Sequence, residues 1–159
     1  MDHMSDKNPA PAGAQRLMTF FVVEECAKAL DFYQQAFGAE LVSRIDGPGG
    51  SVMHAEIRLG GCTYQLSDPL PDFGLVPPPA EGNSFTMTFW TPDPDAVYER
   101  AVAAGATPIA PVEDAFSGDR MGVLRCPFRV RWCIARHDRD VSNEEIQAAA
   151  LAWVEADQG

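Results

Sequence analysis

The chain runs through one order of elements twice, and this repeat restricts its fold more than any other feature. Arg16 to Val23 (RLMTFFVV) is apolar and β-branched enough for a buried strand. In Glu24 to Glu40, Cys26, Ala29, Leu30, Tyr33 and Phe37 recur at helical spacing on one side, and Gly38 is a natural terminator. Glu40 to Ile45, Ser51 to Leu59 and Cys62 to Ser67 read as three strands, separated by Gly47-Pro48-Gly49-Gly50 and by Gly60-Gly61. Asp68 to Asn83 is crowded with Pro and Gly and reads as a linker. The order then begins again with a strand over Ser84 to Thr91 and a helix over Asp95 to Ala104, with Val97, Ala101 and Ala104 inward. Strands over Thr107 to Val112, Arg120 to Arg125 and Val130 to Arg136 complete it. Two βαβββ modules, 16–68 and 84–137, within a domain spanning 16–140, predict an α+β fold: an eight-stranded, half-open sheet with helices on its convex face.

Strand parity then sorts the side chains by face. Met53, Ala55, Ile57 and Leu59 are expected on the helix side, with His54, Glu56 and Arg58 opposite. Together with Gln65, Thr86 and Thr88 they give a polar concave face where a small ligand can sit. His54 and Glu56, two apart on one strand, suit ligand contact or acid/base work; the alternative is that they satisfy one another or Arg58. Phe20 and Met18 share a face, as Trp90 does with Thr86 and Thr88, so these three either line the concavity or belong to the core. Phe116, in a loop, joins this planar-ligand set without help from parity. Cys133 is a reactive thiol if Arg131 and Arg136 lower its pKa, and otherwise an inert buried cysteine. His137, beside Asp138 and Arg139, reads as a solvated strand end. No Gly-x-Ser-x-Gly elbow, Ser-His-Asp order or phosphate loop is present, so neither nucleophilic hydrolysis nor nucleotide binding has support.

Outside the modules, Met1 to Gln15 lacks periodicity and predicts a disordered tail. In the last segment, 141–159, Ser142-Asn143-Glu144-Glu145 forms a capping box ahead of Ile146, Ala149, Ala150, Trp153 and Val154. This predicts a C-terminal helix whose Trp153 packs on the domain or on a partner subunit, or else acts as a lid. The 12 Lys and Arg against 23 Asp and Glu leave a net charge of -11, which repels a phosphate backbone and argues against nucleic acid. Such a field favours cationic or neutral ligands, although solubility alone accounts for a charge of this size. The 4 cysteines show neither Cys-x-x-Cys nor zinc-finger spacing, and no apolar run approaches a membrane span. With no secretory signal visible, the expectation is a cytoplasmic protein with free thiols, placed as small hydrophobes in strand interiors.

Several stretches resemble the vicinal oxygen chelate superfamily, which holds glyoxalase I, bleomycin-resistance proteins and extradiol dioxygenases, and above all its PhnB-like branch. They are DFYQQAFGAELVSRI (Asp31 to Ile45), VMHAEIRLGG (Val52 to Gly61), YQLSD (Tyr64 to Asp68), the segment from Asp95 to Phe128, and RWCIARH (Arg131 to His137). The resemblance implies the paired-module fold and a homodimer, with the Pro-rich linker long enough to permit module exchange. Function varies widely across such relatives, from lyases, isomerases and dioxygenases to drug binders. Metal-dependent members place His or Glu at four positions, which fall here on Met18, Gln65, Thr86 and Cys133. A thioether, an amide, a hydroxyl and a thiol suit no common catalytic divalent ion, so no metal and no other cofactor is expected. Where the branch reads Asp-Pro-Phe-Gly-His, this chain has Cys126-Pro127-Phe128-Arg129-Val130, which implies an altered turn or a strained Arg129. A family Trp is replaced by Ser117. The expectation is a metal-free binder of an aromatic or cationic small molecule, possessing His54, Glu56, Gln65, Thr86, Trp90, Phe20, Met18, Phe116 and Cys133 as lining. The alternatives are a lyase, isomerase or dioxygenase built on His54 and Glu56, or a scaffold that acts only through partners.

Overall fold

The computed structural model describes residues 8–158, so the first seven residues of the expected tail lie outside the described residues. The chain divides into two compact units, 1–79 and 80–159. The first contains β1 (Phe20–Val22), α1 (Cys26–Phe37), β2 (Glu40–Asp46), β3 (Val52–Leu59) and β4 (Cys62–Ser67), with sheet order β1-β4-β3-β2. The second contains β5 (Met87–Trp90), α2 (Pro94–Ala103), β6 (Thr107–Asp114), β7 (Asp119–Arg125) and β8 (Arg131–His137), with order β5-β8-β7-β6. In each, the opening strand runs parallel to the last and the other neighbours are antiparallel. α3 (Asn143–Asp157) follows, so the βαβββ order occurs twice ahead of a C-terminal helix, in an α+β fold.

The helical stripe read from sequence is the buried face of α1: Cys26, Ala29, Leu30, Tyr33 and Phe37 are all removed from solvent, joined by Phe32 and Ala36. α1 packs on β3 and β2, and Phe21, Ala55, Ile57, Leu59 and Leu66 are buried in the same unit. α1 has no capping side chain of its own, and Glu25 ahead of it adopts φ 54°. Asp68 does the work instead. Its carboxylate accepts from Cys26 N at 3.0 Å and from Val52 N at 2.7 Å, tying the first turn of α1 to the start of β3.

In the second unit Val97, Tyr98 and Ala101 of α2 pack toward Leu124, Trp132 and Ile134. A Cβ at Gly122 would lie 2.7 Å from Val112 Cγ2 and 3.0 Å from the Tyr98 ring, so glycine lets this ring approach β7. The Tyr98 hydroxyl donates to Ala110 O at 3.0 Å. Arg120 clamps the open end, its Nε and Nη2 on the two carboxylate oxygens of Asp95 and its Nη1 on Asp114. This pairing holds the Asp95 carboxyl below its ordinary range.

Several sequence expectations are corrected. The strand expected over Arg16 to Val23 is only Phe20–Val22, and that over Ser84 to Thr91 only Met87–Trp90. Each is an edge strand with a single neighbour, and its length is set by that neighbour's ladder rather than by its own apolar run. Beyond β1, the Gln15 side-chain amide continues the ladder, donating to Thr63 O at 2.5 Å and accepting from Thr63 N at 2.9 Å. Met53, expected inward, is 51% exposed, while Val52 is buried. A register shift between Ile45 and Asp46 places a bulge in the pairing with β3 and reverses its phase there. Ala104 caps α2 and is exposed, while Tyr98 occupies the buried stripe. Trp153 does not pack on the domain, since it is 64% exposed and no residue of α3 is buried. Of the cysteines, Cys133 is buried in a strand, Cys26 lies in α1, Cys126 in a turn, and Cys62 is half-buried; all four are free thiols. Burial, reinforced by Asp68, pushes the Cys26 thiol up to about 12.

Candidate functional site

In the first unit, pairing sets a polar row across the face turned away from α1. Phe20 of β1 is level with Gln65 of β4, Gln65 with Glu56 of β3, and Glu56 with Ser43 of β2. Gln65 Nε2 donates to Glu56 Oε1 at 3.3 Å, and His54 Nε2 stands 3.7 Å from the same oxygen. The His54 ring also lies against Phe20, with centroids 5.8 Å apart and planes at 51°. Arg58 turns to Glu40 Oε2 at 3.4 Å and leaves Glu56 to its amide and imidazole neighbours. The result is a half-buried carboxylate and imidazole beside an aromatic ring, able to meet a planar or cationic group. Met18 lies two residues ahead of β1 and is half-buried.

In the second unit, Thr88 is level with Cys133 and Trp90 with Ala135 on the face away from α2. Thr86 precedes β5, and its hydroxyl oxygen accepts from Arg131 Nη1 at 2.5 Å. Cys133 is buried, and burial raises its thiol more than Arg131 lowers it, which makes it an inert protonated thiol. Trp90 is 55% exposed at the end of β5, where Thr91, Pro92, Arg136 and His137 join it around a cavity of about 350 Å³. Phe116 is exposed in the turn before β7, and no ring contact joins it to Trp90 among the described residues.

The structure adds two features of this unit to what the sequence showed of Arg131 and His137. Arg131 shares the parity of Cys133, which was the available signal for placing it on the same face. His137 is exposed yet held at both ring nitrogens, with Nδ1 2.6 Å from Asp119 Oδ1 and Nε2 2.8 Å from Asp140 Oδ1. Two acceptor-only partners require both nitrogens to donate, so the imidazolium is favoured and its pKa rises. Ser117 donates to Asp119 Oδ2 at 2.8 Å and so serves this cluster.

A sequence profile described as the Glyoxalase/Bleomycin resistance protein/Dioxygenase superfamily matches residues 15–134. The chain belongs to this superfamily. An uncharacterized protein of Mycobacterium bovis is 38% identical over 137 residues, which is 84% of this chain and 90% of that protein. The structure of a PhnB protein from Bacillus cereus matches with TM-score 0.57 and 26% identity, covering 77% of this chain and 99% of its own. FosX, a fosfomycin resistance protein of Listeria monocytogenes solved with Mn(II) and sulfate, matches with TM-score 0.60 at 14% identity, covering 84% and 97%. At that identity the likeness is one of fold.

The divalent ion used by metal-dependent members of the superfamily does not fit the residues present here. Thr86 Oγ1 already faces the Arg131 guanidinium, whose positive charge opposes a cation at that oxygen. The Gln65 amide points its Nε2 donor at Glu56, and Cys133 retains its proton. Among the described residues, no three His, Cys, Asp or Glu side chains are grouped to hold a metal.

Proposed function

We propose that this superfamily member binds a small organic molecule, aromatic or cationic, against its open sheet faces and does so without metal coordination, in the manner of a sequestering protein. One observation carries the reading: Phe20, His54, Glu56 and Gln65 stand together on one face with a ring, an imidazole and a carboxylate presented side by side. Such a surface needs only stacking and a few polar contacts to hold a planar ligand. Thr86, Thr88 and Trp90 are the matching polar and aromatic contributors of the second unit. Calorimetric titration against planar antibiotics and aromatic amines tests it. Binding is expected for at least one aromatic amine, weakened about tenfold by Glu56→Gln through loss of the charge-assisted contact. Uniform absence of binding contradicts the proposal.

A second reading is favoured by the 3.7 Å approach of His54 Nε2 to Glu56 Oε1. This pair could serve as acid and base in a lyase or isomerase. Turnover of a bound ligand, abolished by His54→Gln with binding retained, would select it. We also propose that the protein acts in the cytoplasm as a homodimer. Free thiols accord with the compartment, and the exposed apolar residues of α3 accord with a second copy.

A further inference from the structure

We propose that the open face of the second unit recognises an oxyanion, a carboxylate or phosphonate group carried by the ligand, with Arg131 as its anchor. The inference rests on the reading that this face meets a ligand, and it names the chemistry of that contact.

β8 projects Arg131 to the side of Cys133, away from α2, and the residue is half-buried there. Its one hydrogen bond goes to the neutral Thr86 hydroxyl, and among the described residues no carboxylate pairs with it. The other arginines of this unit that stand on β7 and β8 are differently placed. Arg120 is held by Asp95 and Asp114, Arg136 by Asp138, and Arg125 by Asn83 and the carbonyls of Ala80 and Gly82. Acidic residues outnumber basic ones 23 to 12, so a carboxylate partner was readily available to this sequence. A half-buried guanidinium without one bears an uncompensated desolvation cost.

Register adds a second observation. Arg125 of β7 is directly opposite Arg131 of β8, and like charges at opposed positions repel. Arg125 bends to the segment before β5, which leaves Arg131 as the open cation at this end of the face; Asp119 and His137, paired with one another, and Glu113, opposite Met121, share its parity toward the other end. The guanidinium has five N–H donors in a fork that matches a carboxylate or phosphonate, and one of them is engaged by Thr86. Because the Thr86 oxygen accepts that bond, its own hydroxyl proton remains to donate toward the same anion. Neighbouring Thr88, Val123 and Cys133 bring no negative charge to oppose it.

The test is calorimetry with benzoate, phenylphosphonate, inorganic phosphate and benzylamine on the full chain, together with the Arg131 Nε–H resonance in NMR. We expect benzoate or phenylphosphonate to bind and to shift that resonance. Arg131→Gln should weaken the anion about tenfold or more, Arg131→Lys should fall between, and benzylamine should be unaffected. If Arg131→Gln does not fold by near-UV circular dichroism, Arg131→Lys and the wild-type resonance decide. Benzylamine binding without either anion overturns the oxyanion inference and leaves the small-molecule reading standing. Anion binding that neither moves the Arg131 resonance nor responds to its replacement overturns the inference as well. No binding by any probe overturns both.

Discussion

Arg129 holds φ at 67° in the turn closed by Arg129 N on Cys126 O at 3.0 Å and Cys126 N on Val130 O at 2.9 Å. The left-handed region costs a residue with a Cβ roughly 1–2 kcal/mol, part of which glycine returns through its freer unfolded chain. Arg129→Gly should therefore stabilise the protein by about 0.5–1 kcal/mol, read as a higher urea midpoint with unchanged slope. Gly118 has the opposite sensitivity. At φ 91°, a Cβ there would meet Arg139 O at 2.1 Å, and that backbone cannot swing aside because Asp138 N and Arg139 N both donate to Gly118 O. Gly118→Ala should cost about 2–4 kcal/mol in denaturant unfolding. His137 gives a pH signature. Its bond to Asp119, and then that to Asp140, raise its pKa above the ordinary imidazole value of about 6.5. The stability it contributes is complete below that value and is lost as pH rises through the higher folded pKa. Stability of His137→Asn should lose this fall on the alkaline side, measured as urea midpoints across neutral to mildly alkaline pH.

At the scale of elements, α1 depends on a carboxylate it does not contain. Asp68→Ala removes acceptors from Cys26 N and Val52 N together and should destabilise by about 2–4 kcal/mol, with hydrogen exchange fastest in the first turn of α1. This division of labour explains what was legible in the sequence. The buried stripe of α1 was, because its period is set by side chains alone, and the Ser142 cap was, because Glu145 N donates to it locally at 3.2 Å. The ends of β1 and β5 were not, since they depend on pairing with β4 and β8. Nor was the phase of Met53, which a bulge against β2 reverses. The grouping of His54, Glu56 and Gln65 followed from parity within regular stretches of β3 and β4. Arg131 was legible only as a charge flanking Cys133, because its opposition to Arg125 and its bond to Thr86 depend on register and on a distant segment.

For the whole molecule, the exposed Leu151, Trp153 and Val154 of α3 accord with the proposed homodimer. Light scattering should return about twice the chain mass of 17.3 kDa, and Trp153→Ser should shift the mass toward one chain. The central claim concerns chemistry rather than assembly: we propose that Met18, Gln65, Thr86 and Cys133, with a guanidinium on Thr86, hold no divalent ion in this member of the glyoxalase/bleomycin-resistance superfamily. The most direct measurement is elemental analysis of protein purified without chelator and then dialysed against excess Mn(II) and Zn(II). The account predicts retained metal far below one ion per chain. About one tightly held divalent ion per chain, released on replacing any of those four residues, would contradict it.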